Sequence, residues 1–258
     1  MKKINRQTQI VATIGPASEN ALVLKNMLAS GVNIFRFNLK HSTIDKHSKN
    51  IEKAKKVAKE QGLKVQILID LPSPTFFESF ALIAKTRPDY IALSYVKNSL
   101  EIKKFKTALE SIALKTNIIV KIETNQALSS FASVLTEANS LMVARGDLGR
   151  SIPIEQVPFV QKEIIQAGNK EKKKVIVATE MLLSMILKKV PTRAEASDVA
   201  NAVLDGCNAV MLSEETAIGK NPVQAVAIMS RIICEAESWK ELGHLSIFSD
   251  KKKEFRFG

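Results

Sequence analysis

Aliphatic runs alternate with amphipathic stretches along the whole chain. The runs fall at Gln9–Ile14, Val32–Asn38, Lys64–Asp70, Tyr90–Tyr95, Asn117–Glu123, Ser140–Arg145, Lys174–Thr179 and Cys207–Ser213. Each is nearly continuous in apolar residues, the pattern of a strand buried on both faces. Helical spacing fills the intervals, as in Ala21 to Leu28 and in Ile51 to Gln61, where Ile51, Ala54, Val57 and Ala58 share one face. A last helix, Pro222 to Ser238, follows the eighth run. Eight βα units predict an α/β fold, a closed (β/α)8 TIM barrel. The alternative, an open doubly wound sheet, calls for an amphipathic edge strand, and no run is clearly amphipathic. The third unit departs from the rhythm: Pro72 and Pro74 stiffen a turn after Asp70, and a short helix is expected around Glu78–Lys85. The barrel is assigned to residues 1–240, and residues 241–258 to a loosely ordered tail.

Two of the runs end in residues that a core does not tolerate. Glu123 closes Ile118-Ile119-Val120-Lys121-Ile122-Glu123, and Asp147 follows Met142-Val143-Ala144-Arg145-Gly146. On neighbouring strands they emerge at one rim, where two hard carboxylates suit Mg²⁺ (or Mn²⁺), with water and substrate as the other ligands. Lys121 lies two residues before Glu123, so it shares that face. A metal beside a lysine suits a small, highly anionic ligand. Thr13, Arg36, Asn38, Asp70, Arg145, Thr179 and Glu215 also fall at strand ends, where a barrel carries its chemistry. Gly146 and Gly149 permit close approach of a ligand to the backbone.

Composition narrows the field. The chain has 258 residues, 45% hydrophobic but only 5% aromatic, as aliphatic helix-on-strand layers require. No apolar run is long enough to span a membrane. The first residues lead directly into a strand, leaving no room for a signal peptide, and Cys207 and Cys234 lack metal-ligand spacing. A reduced, cytoplasmic chain is therefore expected. The net charge of +12 comes largely from lysines on helix-like stretches such as Lys53 to Lys59. With few aromatics to stack bases, a basic surface that collects anionic metabolites is a better reading than specific nucleic-acid binding. His47 and His244 are expected at the surface, and Cys207 as a buried thiol. Asp198 and Asp205 are assigned to capping or surface pairing, and Arg193 and Glu195 to anchoring the loop before their helix. Glu214, beside Glu215, either strengthens a metal site or faces water.

These motifs together resemble the pyruvate kinase family over roughly residues 8–237. Val11-Ala12-Thr13-Ile14-Gly15-Pro16-Ala17-Ser18 looks like the family's first barrel strand, and Arg36-Phe37-Asn38 with His41 its Arg-x-Asn-Phe-Ser-His-Gly segment. Val120-Lys121-Ile122-Glu123 and Met142 through Gly149 resemble its metal and substrate motifs. Ala178-Thr179-Glu180-Met181-Leu182, Pro191 through Gly206 and Met211 through Ala217 also match in order. The resemblance implies that Glu123 and Asp147 hold Mg²⁺ and that Lys121 faces the transferring phosphoryl group and steadies enolate charge. It implies that Gly146 and Asp147 offer amides to the substrate carboxylate, that Thr179 lies near the enolate carbon, and that Arg36 contacts phosphate. Asn38 corresponds to the potassium site, and Pro16 and His41 to the nucleotide side. The partners so implied are phosphoenolpyruvate or pyruvate and ADP or ATP; a homo-oligomer is left open.

Departures from the family pattern matter equally. The family inserts a lid domain after the third strand, and here a few residues bridge that point; its C-terminal regulatory domain is also unmatched. Lys40 replaces the potassium-site serine, and in Asp70-Leu71-Pro72-Ser73-Pro74-Thr75-Phe76-Phe77, which stands for Asp-Thr-Lys-Gly-Pro-Glu-Ile-Arg, Asp70 survives but the potassium-ligand threonine and the terminal arginine do not. Arg150-Ser151 stands for a usual Val-Glu. Lys40 is expected either to pair with Asp70 and stand in for K⁺, which then is not required, or to reach out to solvent and leave the site dead. Three functions follow as expectations: a compact phosphotransferase, metal-dependent enolate chemistry on 2-oxo acids (aldolase, decarboxylase or tautomerase) without nucleotide, and a non-catalytic binding or regulatory homologue.

Overall fold

The computed structural model describes residues 6–241. Eight parallel strands, β1 (Gln9–Thr13), β2 (Ile34–Asn38), β3 (Gln66–Leu71), β4 (Tyr90–Leu93), β5 (Asn117–Ile122), β6 (Ser140–Ala144), β7 (Lys174–Ala178) and β8 (Ala209–Leu212), pair in chain order. β8 returns to β1, with Gln9 opposite Ala209 and Ala12 opposite Leu212, and the barrel closes. The open-sheet alternative is thereby excluded. The strands are slightly shorter than the aliphatic runs because the terminal residues of each run turn into the loops.

The helices are α1 (Ala21–Ala29), α2 (Ile44–Glu60), α3 (Phe80–Thr86), α4 (Ser99–Glu110), α5 (Asn125–Ser129), α6 (Phe131–Glu137), α7 (Arg145–Ser151), α8 (Val157–Lys170), α9 (Arg193–Leu204), α10 (Glu214–Ala217) and α11 (Pro222–Glu241). Several starts are written in the sequence. Asn20 caps α1, Thr43 caps α2, and Thr192 with Glu195 forms a reciprocal capping box at α9. After β3 only a short linker and a 3-10 turn, Phe77–Ser79, precede α3.

Strand residues alternate between two cores. Outward side chains such as Phe35, Phe37, Ile67 and Ile69 pack beneath the helices. Inward ones, among them Val11, Leu68, Ala92, Ile119, Met142, Ile176 and Met211, fill the barrel itself. Above this apolar plug the inward positions turn polar.

The strand beginnings are tied in pairs. Asn33, Asp89, Asn139 and Asn208 each immediately precede an even-numbered strand. Their side-chain oxygens accept the N–H of Ile10, Ile67, Ile118 and Val175, at 2.9, 2.8, 3.1 and 2.7 Å. Each residue's own N–H returns to the carbonyl of the same partner, at 2.9–3.1 Å. One polar residue thus closes a two-bond clamp between each odd strand and the next even one.

Candidate active site

The inward positions at the strand C-termini form a buried charged layer. On β2, Arg36 is flanked by Thr13 and Asp70: its Nη1 donates to Thr13 Oγ1 at 2.9 Å, and its Nε and Nη2 reach Asp70 Oδ2 at 2.8 and 2.7 Å. Asp70 Oδ1 receives the Ser94 hydroxyl at 3.3 Å and lies 3.5 Å from Lys121 Nζ. Lys121 donates to Ser94 Oγ at 2.7 Å and sits 2.8 Å from Glu123 Oε1. The Tyr95 N–H donates to Glu123 Oε2 at 2.8 Å. Arg36, Asp70, Lys121 and Glu123 are all buried, with Asp70 and Glu123 at only 1% exposure.

Charge balance decides protonation here. Burial pulls the Lys121 ammonium down, but Asp70 and then Glu123 outweigh it and hold the pKa above the ordinary lysine value. Burial alone pushes Asp70 up, yet Lys121 and Arg36 prevail and its carboxyl stays below the usual aspartate range. For Glu123, burial wins: its carboxyl is raised despite Lys121 and the Tyr95 amide, and the charge of Asp70 adds to the rise. Oε1 of Glu123 is engaged only by the Lys121 ammonium, so this buried carboxylate oxygen keeps room for a further ligand.

Asp147 lies in the first turn of α7, beyond the end of β6. It is partly exposed and contacts only Arg150, at 3.2 Å. Asp147 and Glu123 both act on the Tyr95 hydroxyl, whose pKa rises first through desolvation and then through these two carboxylates. Among the described residues no cluster of three or more His, Cys, Asp or Glu side chains forms a ready metal cage. Glu123, with a buried oxygen, and Asp147, on the solvent side, are the acidic groups here that could hold a divalent ion whose remaining ligands are water and substrate.

Thr179 directly follows β7, beside the start of α7. Its Oγ1 accepts the Gly146 N–H at 2.8 Å and donates to Ala178 O at 2.6 Å. The Gly146 amide and the Thr179 hydroxyl are thus held together at the strand ends. Beside the charged layer opens a cavity of about 440 Å³, lined by Arg36, Asn38, Pro16, His41, Lys46 and Glu19 among others. The two residues expected on a nucleotide side thus face one space with Arg36.

Several expectations need correction. Lys40 is exposed and forms no contact with Asp70. Asn38 Oδ1 accepts the Lys40 N–H at 3.1 Å, and this turn carries the lysine outward, while Arg36, Ser94 and Lys121 occupy Asp70. His47 is buried, not superficial. Its Nε2 contacts His41 O at 2.5 Å, its ring meets Phe37 edge-on, and burial lowers its pKa. Asp198 does pair, but with the largely buried Arg145. Glu214 is exposed, whereas Glu215 is fully buried and accepts the Leu182 and Ser213 amides, a latch between the loops after β7 and β8. His244 and the tail lie outside the described residues. Ser94 and Tyr95 were missed as site residues. Extending the inward alternation of β4, Tyr90 to Ala92 to Ser94, finds Ser94.

The structure is thus a closed α/β barrel whose strand ends gather a buried lysine, paired acids and an arginine. The family model described as pyruvate kinase, barrel domain, matches residues 5–80 and 78–226. The chain belongs to the pyruvate kinase family. It is 30% identical to the pyruvate kinase of Thermococcus litoralis over 341 positions, covering 93% of this chain and 72% of that protein. Against the Geobacillus stearothermophilus pyruvate kinase it is 31% identical, with 97% of this chain and 60% of the relative covered. A segment of 149 positions is 48% identical to the Mycobacterium intracellulare pyruvate kinase, covering 58% of this chain and a third, 32%, of the relative. The two stretches matched by the family model meet at residues 78–80, in the 3-10 turn after β3. The alignment with the Thermococcus protein is longer than this chain, so that relative carries inserted sequence absent here.

Proposed function

We propose that this barrel is a compact phosphotransferase core that moves a phosphoryl group between phosphoenolpyruvate and ADP with a divalent metal. The observation that carries the proposal is the buried Arg36–Asp70–Lys121–Glu123 layer, opening on one side to Asp147 and on the other to the Pro16 and His41 cavity. Glu123 and Asp147 are the residues to hold Mg²⁺ or Mn²⁺, whose charge polarises the substrate oxygens. Lys121, kept protonated by Asp70 and Glu123, neutralises charge that develops as the phosphoryl group leaves the enol oxygen. Arg36 presents its guanidinium from the shared wall of layer and cavity, between substrate and nucleotide. The Thr179 hydroxyl, whose proton rests on Ala178 O here, is the group to deliver that proton to an enolate carbon once it turns toward substrate.

We further propose that K⁺ is dispensable. The reason is no longer Lys40 but Arg36 and Lys121, which together with Ser94 engage both oxygens of Asp70. The second reading, enolate chemistry on a 2-oxo acid without nucleotide, draws support from the mouth. Only a short linker follows β3, Tyr95 is 42% exposed, and nothing there excludes water as a closed lid does.

One experiment separates these. The protein is supplied with Mg²⁺, phosphoenolpyruvate and ADP in Na⁺ or K⁺ buffers, and ATP is measured. In parallel, pyruvate methyl-proton exchange is followed in deuterated water without nucleotide. ATP formation that is equal in both salts and falls about 10²–10³-fold in Lys121→Met is the expected result. Methyl exchange without ATP formation selects the second reading. Absence of both overturns an active enzyme and leaves the binding homologue.

A further inference from the structure

Thr179 and its neighbour Glu180 both occupy left-handed backbone, with φ of 70° and 55°. Neither is glycine, and a β-branched residue is rarely found there. Such a turn persists only where its surroundings over-determine it. The carbonyl between these two residues is gripped by one side chain: Arg145 donates from Nε at 3.2 Å and from Nη2 at 2.7 Å to Thr179 O. Its Nη2 also lies 3.0 Å from Met181 Sδ. The third nitrogen, Nη1, faces α9, where Asp198 receives it with Oδ1 at 2.7 Å and Oδ2 at 2.6 Å, and Gln161 Oε1 lies at 3.5 Å. Every nitrogen of the guanidinium is thus committed, and its side chain is 11% exposed.

From this geometry we infer that Arg145 and Asp198 are positioning residues that fix the Thr179 hydroxyl at the mouth of the barrel. The inference deepens the proposed function and rests on it for its catalytic meaning. Arg145 touches neither the charged layer nor the cavity. It acts through Thr179: pinning the carbonyl holds the left-handed turn in place, and that backbone keeps the Thr179 Cβ, and with it Oγ1, within reach of the Gly146 amide. Asp198 holds the guanidinium plane from a third element. α9 itself is anchored, since its capping residue Glu195 also accepts the Ser184 N–H and hydroxyl, both at 2.6 Å. The alignment therefore runs from β6 through Arg145 to β7, with α9 as the brace. A lysine cannot replace this fork, because an ammonium offers no planar pair of donors to one carbonyl.

The test uses Arg145→Lys and Asp198→Asn with two independent readouts. The first is physical: hydrogen exchange of the Gly146 amide and the ¹³C-methyl resonance of Thr179, assigned with Thr179→Ala. Both variants are expected to lose at least about tenfold of Gly146 protection and to shift or broaden the Thr179 methyl signal. Unchanged protection and an unchanged methyl signal overturn the inference whether or not the protein turns over substrate. The second is chemical: pyruvate methyl-proton exchange is expected to fall about 10²-fold in each variant, the scale of a small misplacement of a reacting group. Mn²⁺ affinity, which reports Glu123 and Asp147, is expected to stay unchanged. In a Thr179→Ala background the same substitutions are expected to cost nothing further in exchange rate. Equal, additive losses in that background indicate a general structural role and overturn the inference. A wild-type protein silent in proton exchange and ATP formation refutes the functional reading alone, and the amide and methyl signals still decide the positioning.

Discussion

Asp70 shows most clearly what a single residue does here. It is buried, and both its oxygens are occupied by Arg36, Lys121 and Ser94. Removing one member of such a cluster leaves uncompensated charge in a region that water does not reach, at a cost of about 3–5 kcal/mol. Asp70→Asn is expected to lower unfolding free energy by that amount in urea titrations at pH 7. The pH dependence has a definite sign. The folded carboxyl lies below its unfolded value of 3.8, so its stabilisation is complete above pH 3.8 and disappears as pH falls through the lower, folded value. Wild type and Asp70→Asn should converge in stability only in that acid range; a difference that vanishes already near pH 6 refutes the assignment. The residues of this layer were legible in the sequence because Asp70 and Glu123 end aliphatic runs, and Arg36 and Lys121 are charges two residues before the end of theirs. The direction of Lys40 stayed open in the sequence because it depends on one turn. Asn38 Oδ1 captures the Lys40 amide and swings the side chain out, and no apolar pattern records that bond.

At the scale of elements, the barrel is assembled from four two-strand units. The hydrophobic rhythm revealed all eight strands, since aliphatic runs of strand length separated by helical spacing have few other solutions. It did not reveal the pairwise clamps. These depend on one polar residue before each even strand, and Asn33, Asp89, Asn139 and Asn208 look like ordinary loop residues until the register is known. Three clamps use asparagine and one aspartate, and the bond needs only an acceptor oxygen at that place. Asp89→Asn is therefore expected to change stability by less than about 0.5 kcal/mol, the size of a neutral surface exchange. Asn139→Ala, which strands the Ile118 amide, is expected to cost about 1–3 kcal/mol. Urea midpoints of the two variants check this; equal losses would mean that charge or local packing, not the acceptor, holds the strand beginnings.

For the whole molecule the governing event is closure, in which β1 meets β8 and joins residues about two hundred positions apart. A barrel lacking that seam has two open edges, so opening at β8 and global unfolding are expected to be one event. Cys207 reports on it. It precedes β8, is 5% exposed, and its thiol is pushed up to about 12, mainly by burial and then by Asp205. Neither access nor thiolate is available in the folded state at neutral pH. Cys234, on α11, is only partly buried, so reagents reach it without loss of the seam. Iodoacetamide is therefore expected to modify Cys234 in the native protein and to modify Cys207 only in step with loss of circular dichroism across a urea series. If Cys207 reacts well below the unfolding midpoint, β8 detaches by itself. The rim then has an edge beside Thr13, whose hydroxyl is tied to Leu212 O across that same seam and whose other partner is Arg36. Early labelling of Cys207 would thus predict a matching early loss of substrate affinity, because Arg36 would lose the wall against which it is aligned.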